Sequence, residues 1–103
     1  MNMEHHLLVL SAPPALEEAL IDWLLEHGEG AGFTTQPVSG HSSRHGHLSL
    51  AEQVSGRERR VQFQVHAVSE RVQVMLQGLR QDFIGSDIHY WVAPLVMAGN
   101  LET

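Results

Sequence analysis

From Arg60 to Ala67 apolar and polar residues alternate without interruption: Val61, Phe63, Val65 and Ala67 against Arg60, Gln62, Gln64 and His66. Successive side chains of a strand point to opposite faces, so this period of two predicts a strand with one apolar face. A sheet that contains it must cover that face with other elements and leave its second face to water or to a partner.

The covering elements are legible on either side. Leu16, Ala19, Leu20, Trp23 and Leu24 recur at helical spacing after Pro14, which suits a first turn, and the helix is expected to stop at His27-Gly28-Glu29-Gly30, where glycine permits a left-handed exit. Val72, Met75, Leu76, Leu79 and Phe83 form a second helical stripe, with Ser69 as the expected N-cap and an end near Gly85. Leu7-Leu8-Val9-Leu10 is a short apolar run closed by Ser11-Ala12-Pro13-Pro14, the pattern of a buried strand. Phe33 to Val38 reads as a strand that Pro37 confines to an edge, and Ile88 to Val92 concentrates the β-branched and aromatic residues of a last strand, loosened at its far end by Pro94. Between the second and third strands lies a Ser-, Gly- and His-rich stretch expected to form a long exposed loop, 39–60.

The expected fold is therefore α+β, one ferredoxin-like domain over 1–103 with β-α-β-β-α-β order, a four-stranded antiparallel sheet and two helices on one face. The open face, with Leu8, Leu10, Val68 and the aromatic last strand assigned to it, is too apolar for water and predicts an oligomer.

A chain of 103 residues with 43% hydrophobic content supports one core and no second domain. Twelve acidic residues against six basic ones give a formal charge of -6, which argues against a nucleic-acid partner. Without cysteine there are no disulfides, thiolate metal sites or cysteine nucleophiles. The segment before Leu10 has neither the basic lead-in of a signal peptide nor the length of a membrane span, so the expected localisation is cytoplasmic, with no membrane insertion. No serine, threonine or carboxylate pair stands in a catalytic setting, and the expectation is a protein that is not an enzyme.

Two clusters carry candidate chemistry. Among eight histidines, His41, His45 and His47 share the long loop, and neutral imidazole is a ligand for zinc, copper or nickel. They are the expected metal ligands, against the plainer reading of polar loop residues. Arg57, Arg59 and Arg60 could bind an anion through forked donors, or could as well form a charged edge that discourages strand pairing. His5 and His6, next to Glu4 whose carboxylate could complete a coordination sphere, are another candidate pair, against the plainer reading of frayed terminal residues. His66 and His89 fall on the side opposite the helices, where they could meet one another or a neighbouring subunit.

The Leu7-Leu8-Val9-Leu10-Ser11-Ala12-Pro13 opening, the long loop between strands two and three, and Phe83-Ile84-Gly85-Ser86-Asp87-Ile88 before the last strand together resemble the PII-like superfamily. That superfamily includes nitrogen-regulatory PII proteins and CutA proteins. The chain looks closest to a PII-like group of unassigned function associated with heavy-metal efflux systems. The resemblance implies a homotrimer, ligand clefts between subunits, a sensing loop, and an efflux-system or regulator protein as partner. The chain departs from PII proteins in lacking lysine altogether and in having no tyrosine in the loop, which puts nucleotide binding by the usual residues in doubt. A nucleotide or small-anion sensor, and an interaction module without a small ligand, stand as alternatives to metal sensing.

Overall fold

The structure is a computed structural model, and it describes residues 4–41 and 57–102. It contains β1 (His5–Ala12), a 3-10 turn (Pro14–Leu16), α1 (Glu17–His27), β2 (Phe33–Gly40), β3 (Glu58–Val68), α2 (Ser69–Asp82) and β4 (His89–Leu95). The strands form one antiparallel sheet in the order β2-β3-β1-β4, which is the expected ferredoxin-like arrangement. Both edge strands carry a proline, Pro37 in β2 and Pro94 in β4. Proline cannot donate to a ladder, so it is tolerated where one side of the strand has no partner.

Register decides which residues form the core. Leu8 lies opposite Val65 and Leu10 opposite Phe63, and directly opposed residues share a face. Leu8, Leu10 and Ala12 of β1 therefore join Val61, Phe63 and Val65 of β3 in a single buried cluster with Leu20, Trp23 and Leu24 of α1 and Val72, Met75, Leu76 and Leu79 of α2. The assignment of Leu8 and Leu10 to the open face is thus wrong: they are 0% and 2% exposed under the helices. Leu7 and Val9 point the other way. A continuous apolar run has no period to say which residues face in, and only pairing with the alternating β3 resolves it.

The two helices lock through Trp23. Its indole Nε1 donates to Asp82 Oδ2 at 2.7 Å, and its ring stacks on His27 with centroids 4.3 Å apart. Gly78 of α2 faces this ring so closely that a Cβ there would stand 2.8 Å from Cζ2.

Two local expectations need correction. Ser69 is the first residue of α2 rather than its cap; Val68 occupies the cap position and the Ser69 N–H donates to the Glu4 carbonyl at 2.9 Å. The adjacent strand thus satisfies a donor that a serine side chain was expected to satisfy. The exit of α1 is as expected: the helix ends at His27, and after a right-handed Gly28 the chain turns left-handed through Glu29 and Gly30, φ 50 and 82. His5 and His6 are not frayed: they open β1, paired with Val68 and Ala67 on one side and Leu95 and Pro94 on the other.

Candidate functional site

At the end of the sheet where β2 leaves and β3 returns, a single arginine organises the backbone. Arg60 follows the alternation of β3 and so lies on the open face, yet it is only 6% exposed. Its Nε donates to Ser11 Oγ at 2.9 Å, and its Nη2 to the Ser11 carbonyl at 2.6 Å and the Asp87 carbonyl at 2.8 Å. Its Nη1 reaches Glu58 Oε1 at 3.1 Å and Asp87 Oδ2 at 3.2 Å. A guanidinium has five N–H donors, and these five bonds match them. Arg60 therefore ties β1, β3 and the turn before β4 into one knot.

Asp87 is held there in a left-handed conformation, φ 59, two residues after Gly85 at φ 75. A short polar side chain tolerates that region better than most. Burial pushes the Asp87 carboxyl up, but hydrogen bonds from His89 and Arg60, with their charges, outweigh it and hold its pKa below the usual carboxylate value. The His89 bond runs from Nε2 to Asp87 Oδ1 at 3.2 Å.

Of the expected metal ligands, His41 is exposed directly after Gly40, while His45 and His47 lie outside the described residues. Strand β2 extends through Gly40 and β3 begins at Glu58, so both ends of the stretch expected as loop are sheet. Gly40 pairs with Glu58, and Ser11 pairs with His89, which brings the loop stems and the Asp87–His89 pair to the same end of the sheet. Among the described residues no group of three or more His, Asp or Glu side chains could hold a metal. Imidazole and carboxylate suit a divalent transition ion, and Asp87 and His89 supply two such donors.

The three arginines do not all share one face of the sheet. Arg60 is engaged internally, Arg59 alternates to the opposite face beside Ser39, and Arg57 stands exposed just before β3. His66 and His89 share the open face as expected but do not meet, since His66 lies opposite Leu7 and His89 opposite Ser11. Asp87, Ser11 and Glu58 were missed as a site because their convergence on Arg60 spans separations of up to 49 residues. The left-handed turn at Gly85–Asp87 was the one local hint.

Beyond the knot, the open face turns apolar. Val9, 4% exposed, lies opposite Trp91, which is 49% exposed, and Leu7 lies opposite Ala93. Val96, Met97 and Leu101 after β4 are almost fully exposed. No helix among the described residues is long and apolar enough to cross a membrane.

A sheet of this order, with two helices on one face and a long connection between its second and third strands, is the fold of PII-like proteins. The chain belongs to the family described as "Protein of unknown function (DUF3240)", whose model matches residues 3–102. Among solved structures it is similar to a DUF3240 family protein from Shewanella baltica, at 22% identity and TM-score 0.76, with 98% of this chain and 99% of that chain covered. It is similar to CPII, a nitrogen regulatory PII-like protein from Thiomonas intermedia bound to ADP, AMP and bicarbonate, at 18% identity and TM-score 0.70 over 95% and 97%. It also resembles the periplasmic divalent cation tolerance protein CutA from Archaeoglobus fulgidus, at 16% identity and TM-score 0.68 over 95% and 89%. No curated protein sequence matches the chain.

Proposed function

We propose that this protein is a non-enzymatic, PII-like regulatory protein that senses a divalent transition metal through the segment that joins β2 to β3. His41, His45 and His47 are the loop ligands, and zinc, copper or nickel is the ion. The observation that carries this reading is the meeting of both loop stems with the Asp87–His89 pair at the Arg60 knot. A loop that gains order by coordination would transmit it to a fixed sheet end, because metal binding offsets the entropy of ordering the segment that holds it. The divalent-cation tolerance in the name of the similar CutA protein supports the same ligand class. In this reading the open face around Trp91 and Val9 is buried by copies of the chain in a cytoplasmic homotrimer, and the ordered loop docks an efflux-system or regulator protein.

Calorimetric titration of metal-free protein with zinc, copper and nickel tests it. Tight binding at an integral ratio per chain, abolished in His41→Ala/His45→Ala/His47→Ala, is expected; equal binding by that variant overturns it.

A second reading, a nucleotide or small-anion sensor in clefts between subunits, is favoured by the placement of Arg57 at the loop stem and by the ligands in the name of the similar CPII structure. It predicts that adenine nucleotides raise the melting temperature in metal-free buffer. If neither metals nor nucleotides do so, the loop is an interaction module without a small ligand.

A further inference from the structure

On the helix side of the sheet, α2 overhangs the edge strand and leaves a pocket of about 330 Å³. Leu76 and Leu79 of α2, Leu10 of β1, and Ile88 and Tyr90 at the start of β4 line it, with Phe83 and Ile84 at the end of the helix. The spacing 76, 79, 80 and 83 keeps these α2 positions on one helical face, and Tyr90 lies directly opposite Leu10 in the sheet. The volume is at the lower end of the range of about 300–1,000 Å³ for small-molecule sites, and an apolar lining with few polar groups is their usual composition.

The polar group here is Arg80. Its Nη2 donates to the Tyr90 hydroxyl at 2.8 Å and its guanidinium lies over the Tyr90 ring, 5.5 Å from the centroid. Those contacts fix the side chain at the pocket wall and engage one of its five donors. Elsewhere in the chain Arg60 is matched by Glu58 and Asp87, and Arg71 by Glu29. Arg80 has no carboxylate partner among the described residues. A held guanidinium without a counter-charge, beside an apolar cavity, is complementary to a molecule with an anionic head and a short alkyl body.

We propose that this pocket binds a small amphipathic carboxylate, with its alkyl chain between α2 and β4 and its carboxylate on Arg80. Among the described residues its lining includes none of the proposed loop ligands.

Decanoate is the probe and decanol its uncharged counterpart, each titrated below micelle formation into isotope-labelled protein and followed by NMR. Saturable decanoate shifts at Leu79, Ile88 and Tyr90, with affinity at least tenfold weaker in the exposed-site variant Arg80→Gln, are expected. Decanol should bind wild type and Arg80→Gln within about twofold of each other. Equal decanoate affinity in the two proteins, shifts centred on Trp91 of the open face, or no saturable binding would each overturn the proposal. So would shifts at the pocket residues on raising protein concentration alone, which would assign the pocket to a second copy of the chain.

Discussion

Arg60 shows how much one residue can be asked to hold. It is buried on a face that its neighbours Gln62 and His66 leave to the exterior, because its donors are satisfied by two carbonyls, a hydroxyl and two carboxylates. Removing the cation takes from Glu58 and Asp87 the guanidinium that both share, and buried or half-buried charge partners lose more than a neutral hydrogen bond would. Arg60→Met should therefore destabilise the fold by about 2–4 kcal/mol in urea denaturation, whereas Arg57→Met, at an exposed position, should change stability by less than about 0.5 kcal/mol. Asp87 adds a pH signature. Its folded pKa is lower than the ordinary 3.8, so its stabilising contribution is complete above that value and is lost as pH falls through the folded pKa. Asp87→Asn should flatten the acid limb of the stability curve below about pH 4, while leaving the left-handed turn tolerated. An unchanged acid limb would show that the Arg60–Asp87 contact contributes nothing.

At the scale of elements, α1 and α2 meet where a glycine admits an indole. Gly78→Ala adds a methyl group that is favourable by about 1 kcal/mol in an isolated helix, yet here it drives a Cβ against a Trp23 ring already held by Asp82 and His27. Overpacking of this kind costs about 1–3 kcal/mol, so the net effect in thermal unfolding should be a loss. In a Trp23→Phe background the clashing atoms are gone, and the same substitution should be neutral or stabilising; a double-mutant cycle reads that coupling directly. The elements themselves were legible because their periods differ: the alternation through Val61, Phe63 and Val65 admits only a strand, and Val72, Met75, Leu76 and Leu79 only a helix. Facing was legible only where a period existed, which is why β1 was read inside out. The knot was not legible at all, since Ser11, Glu58, Arg60 and Asp87 converge through register and a left-handed turn that no short window of sequence encodes. Of the loop ligands, composition could name His41, His45 and His47 but could not bring them together, and among the described residues only His41 is placed.

For the whole molecule, the consequence lies in the open face. Val9 is almost completely buried on a face that carries no helix, and Trp91 beside it is half exposed. An apolar strip of this kind on an otherwise acidic chain is the natural contact between copies. Light scattering should give the mass of a trimer for the wild-type protein and a smaller species for Trp91→Glu, with the far-ultraviolet circular dichroism unchanged. A wild-type monomer at micromolar concentration would overturn the homotrimer.

The Arg60 knot also stands between the sheet and the segment that joins β2 to β3. Because β2 and β3 are paired at Gly40 and Glu58 beside that knot, a change in the length or chemistry of the segment between them should leave the sheet folded. Doubling the length of a connection costs only about 0.6 kcal/mol in closure entropy. The domain is in this sense a socket with a replaceable insert, and swapping the insert between relatives should transplant ligand preference without transplanting the fold.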